Sequence, residues 1–195
     1  MISKKTSKRN LAQKTENKVL LLSTCWYEAF GVSELIKSFG CDVLLFDGDE
    51  KKSAFNLIVI SLSAERLPGW ARHIKMICEI CKEVPGRVLI LTPEHLGQYG
   101  PLKEVGYVSS GRLSIPDMRN TIDKFLSGER NCREYKKLTI KQSAMFRRLL
   151  HEIHSQQKRS QPFSQKEYYY QKTVVKKLGL RSKHILNVIH SLGNG

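Results

Sequence analysis

The sequence predicts an α/β domain built on a five-stranded parallel sheet, joined to a small all-helical basic module. Two observations carry that prediction. Between Lys18 and Ser127, short runs that are apolar throughout alternate with amphipathic stretches, the pattern of parallel strands buried on both faces and linked by helices. From Leu138 onward the strand-like runs stop, the apolar stripes take a helical period and positive charge accumulates. A length of 195 residues suits one large domain or two small ones.

Residues 1–17 carry five basic side chains with Ser and Thr and almost no apolar periodicity, which predicts a flexible basic arm. Strands are expected at Val19 to Leu22, Val43 to Phe46, Leu57 to Leu62, Val88 to Leu91 and Tyr107 to Val108. Helices are expected between them. In Trp70 to Cys81 the residues Ile74, Ile77, Cys78 and Cys81 share one helical face, and in Pro116 to Leu126 so do Met118, Ile122, Phe125 and Leu126. Five βα units fit within 18–127.

Residues 128–137 are polar and charged and interrupt both periods, so they read as a linker. The remainder, 138–195, opens at a Thr139 cap with the stripe Leu138, Met145, Phe146, Leu149, Leu150 and Ile153. Ser164 caps a second helix to about Leu178, ended by Gly179, and Ser182 caps a last short helix through Leu192, closed by Gly193.

Lys and Arg number 33 against 18 Asp and Glu, a net charge of +15. Residues 129–195 alone hold 15 basic and 4 acidic side chains. Such a segment favours a polyanion, because each neutralised phosphate releases condensed counterions; plain solubility is the bland alternative. A membrane surface fits less well, since no long apolar face accompanies the charge. No run approaches the roughly 18 apolar residues of a membrane span, and the first residues are polar and basic without an apolar signal core. A cytoplasmic location is expected, with the five cysteines reduced.

Cys78 and Cys81 have metal-ligand spacing, but no second Cys or His pair lies near them in sequence, so core thiols on an amphipathic helix are the better reading. His151 and His154 flank Glu152 without further ligands. No metal or cofactor is expected. Glycine-rich phosphate loops and G-x-S-x-G elbows are absent from the sequence, and Ser61 and Thr92 at strand ends have no evident base. The reading is not that of an enzyme.

The order of elements over 18–195, with Gly106-Tyr107-Val108 before Ser110, Leu138-Thr139 opening the module and Lys176-Lys177-Leu178-Gly179-Leu180 near its end, resembles a response regulator of the LuxR/NarL type. The resemblance implies a flavodoxin-like receiver domain followed by a helix-turn-helix DNA-binding module. Receivers use two acidic residues after the first strand for Mg²⁺, an Asp after the third as nucleophile and a Lys after the fifth. The matching positions here are Ser23 and Thr24, Ser61, and Ser110, while Thr92 and Tyr107 match the family's switch pair. A neutral hydroxyl cluster neither holds a divalent cation nor forms an acyl phosphate, so a pseudo-receiver is implied. By the same resemblance Tyr168, Tyr169 and Lys172 fall where the recognition helix reads bases, and Lys176, Lys177 and Arg181 where it meets phosphates; Lys166 and Thr173 belong to the same candidate surface. The family's scaffold helix falls at 152–161, where His154 to Gln161 has almost no apolar residues.

Independently of the resemblance, residues 168, 169, 172 and 176 share a helical face opposite Val174, Val175 and Leu178. A basic, aromatic face of this kind suits the major groove. The solvated face of a packing helix is the bland alternative. Function is therefore expected to be phosphorylation-independent transcription regulation on double-stranded DNA, as a homodimer or a heteromer. The alternative is a co-regulator or antagonist that heteromerises with another regulator and has little sequence-specific DNA binding of its own. An RNA-binding reading, with Tyr168 to Tyr170 stacking on bases, ranks third.

Overall fold

The computed structural model describes residues 18–47, 55, 57–83, 86–128, 137–155 and 164–191. The predicted arm, most of the linker, the 156–161 part of the scaffold segment and the Leu192–Gly193 close lie outside the described residues.

Five parallel strands form one sheet in the order β2-β1-β3-β4-β5: β1 (Lys18–Ser23), β2 (Asp42–Leu45), β3 (Leu57–Ser61), β4 (Arg87–Thr92) and β5 (Tyr107–Ser110). The central strands β1, β3 and β4 are buried nearly end to end, as their unbroken apolar runs require. The register pairs Ser23 with Ser61 and Thr92 with Ser110, so a row of hydroxyl side chains gathers at the carboxyl edge of the sheet.

Of the connecting helices, α1 (Trp26–Lys37) follows β1, α2 (Ala71–Glu83) follows β3 and α4 (Ile115–Leu126) follows β5. Within α2, Ile77 and Ile80 take the core positions, with Ile74, Cys78 and Cys81 half-buried beside them. The helix expected after β2 would fall among residues 48–56, of which Phe55 alone is described. After β4 the expected helix is cut down to a single 3₁₀ turn (Glu94–Leu96) and the four-residue α3 (Gly100–Lys103). Pro93, Gly97, Gly100 and Pro101 explain this, since proline removes donors and glycine raises the entropic cost of a helix.

Three further helices follow: α5 (Ile140–Ser155), α6 (Gln165–Lys177) and α7 (Lys183–His190). Thr139 and Gln142 exchange hydrogen bonds at the start of α5, a reciprocal cap. Ser164 and Glu167 do the same for α6, and Ser182 caps α7. Gly179, at φ 75°, ends α6.

The sheet packs on both sides. One face, with Val19, Leu21, Val59 and Leu91, meets α1 and α4. The other, with Leu20, Ile58, Ile60 and Ile90, belongs to a core that also takes in Trp70 and Ile77 around α2, Leu102 of α3, and Leu149, Val174, Leu178, Leu186 and Ile189 of the last three helices. The truncated segment after β4 is where they join it. Gly100 N–H donates to the Leu178 carbonyl at 2.9 Å, and a side chain at Gly179 would lie 1.8 Å from the Gln98 carbonyl oxygen. A full-length helix in place of residues 94–103 would compete for this docking surface.

Candidate nucleic-acid interface and the hydroxyl pocket

Helix α6 is amphipathic in the sense read from its sequence. Gln171, Val174, Val175 and Leu178 are buried, while Tyr168 is 51% and Tyr169 68% exposed and Lys166, Lys172 and Lys176 are exposed with them. Tyr169, Lys172, Thr173, Lys176 and Lys177 follow one another at i, i+3, i+4, i+7 and i+8, and together line an open groove of about 580 Å³. The Lys172 ammonium stands 4.8 Å from the centre of the Tyr168 ring, a cation–π contact that holds both beside the groove. The Thr173 hydroxyl donates to the Tyr169 carbonyl at 2.9 Å.

Two of the expected phosphate contacts have protein partners as well. Lys177 is half-buried and donates from Nζ to Gln142 Oε1 at 2.8 Å, tying α6 to α5. Arg181 lies beyond the Gly179 turn, with its guanidinium 3.5 Å from Glu94 at the edge of the sheet. Lys166 sits in the first turn of α6, away from the groove lining.

The far end of α6 is held by an ion pair that the sequence did not single out. Arg148 of α5 meets Glu167 at 2.6 Å, and the Ser164 backbone N–H, followed by Arg148, holds the Glu167 carboxyl below the usual carboxylate range. With Gln142–Lys177 at one end and Arg148–Glu167 at the other, α5 runs antiparallel along α6. An Arg on α5 and a Glu in a capping box were each legible; that they face each other depended on the fold.

At the carboxyl edge of the sheet the structure brings Ser23, Ser61, Thr92 and Ser110 together, with Thr24 just beyond Ser23. Ser61 and Thr92 are fully buried. The pocket is not neutral, however. Glu28, in the first turn of α1, reaches into it: its carboxylate accepts from Ser61 Oγ at 2.7 Å, Ser63 Oγ at 2.5 Å and the backbone N–H groups of Ser63 at 2.9 Å and Ala64 at 3.2 Å. Gly111 permits this closure, because a Cβ there would lie 2.0 Å from Ser63 Oγ. The Ser23 hydroxyl donates to the Cys25 carbonyl, Thr24 donates to Glu65, and Thr92 donates to the Ser109 carbonyl. The signal for Glu28 was an acidic residue in a first helical turn, which is usually explained by the helix dipole alone.

Cys78 and Cys81 lie one turn apart on α2, and burial raises the first thiol and pushes the second up to about 11, the behaviour of inert packed thiols. Among the described residues no group of three or more His, Cys, Asp or Glu side chains could hold a metal ion, and no helix is long and apolar enough to cross a membrane. No family model, curated protein or solved structure matches the chain.

Proposed function

We propose that the chain is a cytoplasmic DNA-binding transcription regulator of the LuxR/NarL response-regulator type, in which α5–α7 act as the helix-turn-helix module and the α/β part is a receiver that takes no phosphate and mediates dimerisation or partner binding. One observation carries the reading: an exposed face of α6 that presents Tyr169, Lys172 and Lys176 along a groove, on a helix whose opposite face is locked into the core and whose two ends are tied to α5. A recognition helix needs that combination of a free polar face and rigid aim. Lysines reach guanine acceptors or phosphates, and tyrosines offer a hydroxyl and a ring to thymine methyls.

The pseudo-receiver part of the reading is supported by Glu28. Its carboxylate already takes the hydroxyl and backbone donors that would surround an incoming phosphoryl group, and Ser61 lacks the carboxylate needed for an acyl phosphate.

The test is selection of bound sequences from random duplexes at about 0.15 M salt, where nonspecific binding is already weakened. Enrichment of a shared motif, with half-sites about one helical turn apart, is the expected result for a dimer. Absence of enrichment together with absence of salt-sensitive affinity for any duplex refutes the proposal.

A specific surface favours a second reading, the co-regulator. At the start of α1, Trp26, Tyr27 and Phe30 are 67%, 87% and 58% exposed, three aromatic rings within five residues, a concentration more common at protein interfaces than on bare surfaces. Sequence-specific binding that arises only in a heteromer with another regulator would favour this reading over the first.

A further inference from the structure

A cavity of about 660 Å³ lies between the carboxyl ends of β3, β4 and β5 and one side of α7. Open α/β sheets place ligands at the carboxyl ends of their strands, and the volume is in the range that admits a small organic molecule. Leu67, Pro68 and Pro93 form apolar wall on the sheet side, and Ile185 and Val188 form it on the α7 side.

The lining holds two carboxylates and two guanidiniums, and they differ in their partners. Its two carboxylates are engaged: Glu65 accepts from Thr24 and stands 3.6 Å from His73 Nε2, and Glu94 faces Arg181. Its two guanidiniums are not. Arg66, on the loop after β3, and Arg112, just after β5, have no side-chain partner among the described residues, and neither have the exposed imidazoles of His95 and His184 beside them. The backbone N–H groups of Ser63 and Ala64, which border the cavity, are committed to Glu28. An anion entering here is therefore met by the two arginines and not by the loop backbone. Guanidinium forks bind carboxylate and phosphate oxygens in paired, charge-assisted hydrogen bonds.

We propose that this cavity is a binding site for a small organic anion, a carboxylate or phosphate monoester carried on an apolar body, with Arg66 and Arg112 clamping the anionic group and Leu67, Ile185 and Val188 covering the body. Because the ligand touches both the strand-end loops and α7, its binding tightens α7 against the sheet. The site stands whether or not α6 binds DNA.

The experiment titrates the full chain with phenyl phosphate, benzoate, benzyl alcohol and inorganic phosphate, following the amide signals of Arg112 and His184 by NMR and the melting temperature. Phenyl phosphate or benzoate should shift those signals saturably and raise the melting temperature, and whichever binds more tightly fixes the head group. Arg66→Gln and Arg112→Gln should each weaken that binding about tenfold or more, Arg112→Lys less so, while Lys172→Ala with Lys176→Ala should leave it unchanged. That last pair separates the cavity from anion binding on α6. Unaltered melting of the ligand-free variants confirms that they fold. The proposal is overturned if neither organic anion binds, if benzyl alcohol or inorganic phosphate binds as tightly as they do, or if both glutamine variants bind normally.

Discussion

At the scale of single residues, the α6 surface separates two kinds of contact. If Lys172 and Tyr169 read bases, replacing either with Ala relaxes sequence preference and costs about 1–3 kcal/mol on the preferred duplex. Lys176→Ala instead weakens all duplexes alike and lowers the salt dependence by about one phosphate. Competition between selected and random duplexes measures both. A different residue controls behaviour in acid. Burial, helped by the neighbouring His154, pushes His190 from its ordinary 6.5 to about 4, and its Nε2 is buried without a hydrogen-bond partner among the described residues. The folded chain therefore keeps this imidazole neutral at pH values where the unfolded chain already binds a proton. Stability from this source is complete above pH about 6.5 and is lost as the pH falls towards about 4. Denaturation measured across that window should show the decline, and His190→Asn should reduce it, leaving a slope of the same sign from His73, which burial also lowers, and from Glu167 at the acid end.

At the scale of elements, the turn between α6 and α7 is the joint on which docking depends. Gly179 has φ 75° and passes so close to the Gln98 carbonyl that any Cβ must displace backbone. Gly179→Ala is expected to destabilise by more than about 1 kcal/mol for the left-handed conformation alone, with the steric displacement added to it. Thermal melting of this variant beside Lys176→Ala, a change one turn away on the exposed face, isolates the effect. Helix α6 itself is specified locally by its capping box and Gly stop, but its aim is set by α5, through Arg148–Glu167 and Gln142–Lys177. The exposed Glu167–Arg148 pair matters for position more than for stability, as solvent-exposed ion pairs contribute little.

At the scale of the whole molecule, one apolar core joins the sheet face to the last three helices. Leu149→Ala, in α5, removes buried volume from that core and should cost about 2–5 kcal/mol. Because the core is continuous, the loss should appear as one shifted transition in a melt followed both by sheet and by helix signals; two separated transitions would show that the helices and the sheet unfold independently. The carboxyl edge of the sheet is likewise a property of the whole. Small-molecule phosphodonors are expected to leave the protein unmodified, since Glu28 occupies the donors of the pocket. Intact mass before and after treatment checks this, and a stable added phosphoryl group would contradict the pseudo-receiver reading.

The sequence by itself determined the sheet and most of its helices. The runs at Val19, Leu57 and Val88 are apolar without interruption, so burial on both faces was the only way to hide them, and the caps at Thr139, Ser164 and Ser182 lie within one turn of the groups they satisfy. The buried and exposed faces of α6 were legible for the same reason, because helical period is a local property. Tertiary structure decided what depends on distant segments. The shortening after β4 opened a place for the Leu178–Leu180 turn, although only its Pro and Gly residues hinted at it. Glu28 found Ser61 across 33 residues of chain, Glu94 found Arg181 across 87, and Arg66, Arg112 and His184 came to line one cavity. No spacing rule reaches that far, since such meetings are fixed by strand order and by the packing of α7 over the strand ends, and neither is written in any local stretch of the chain.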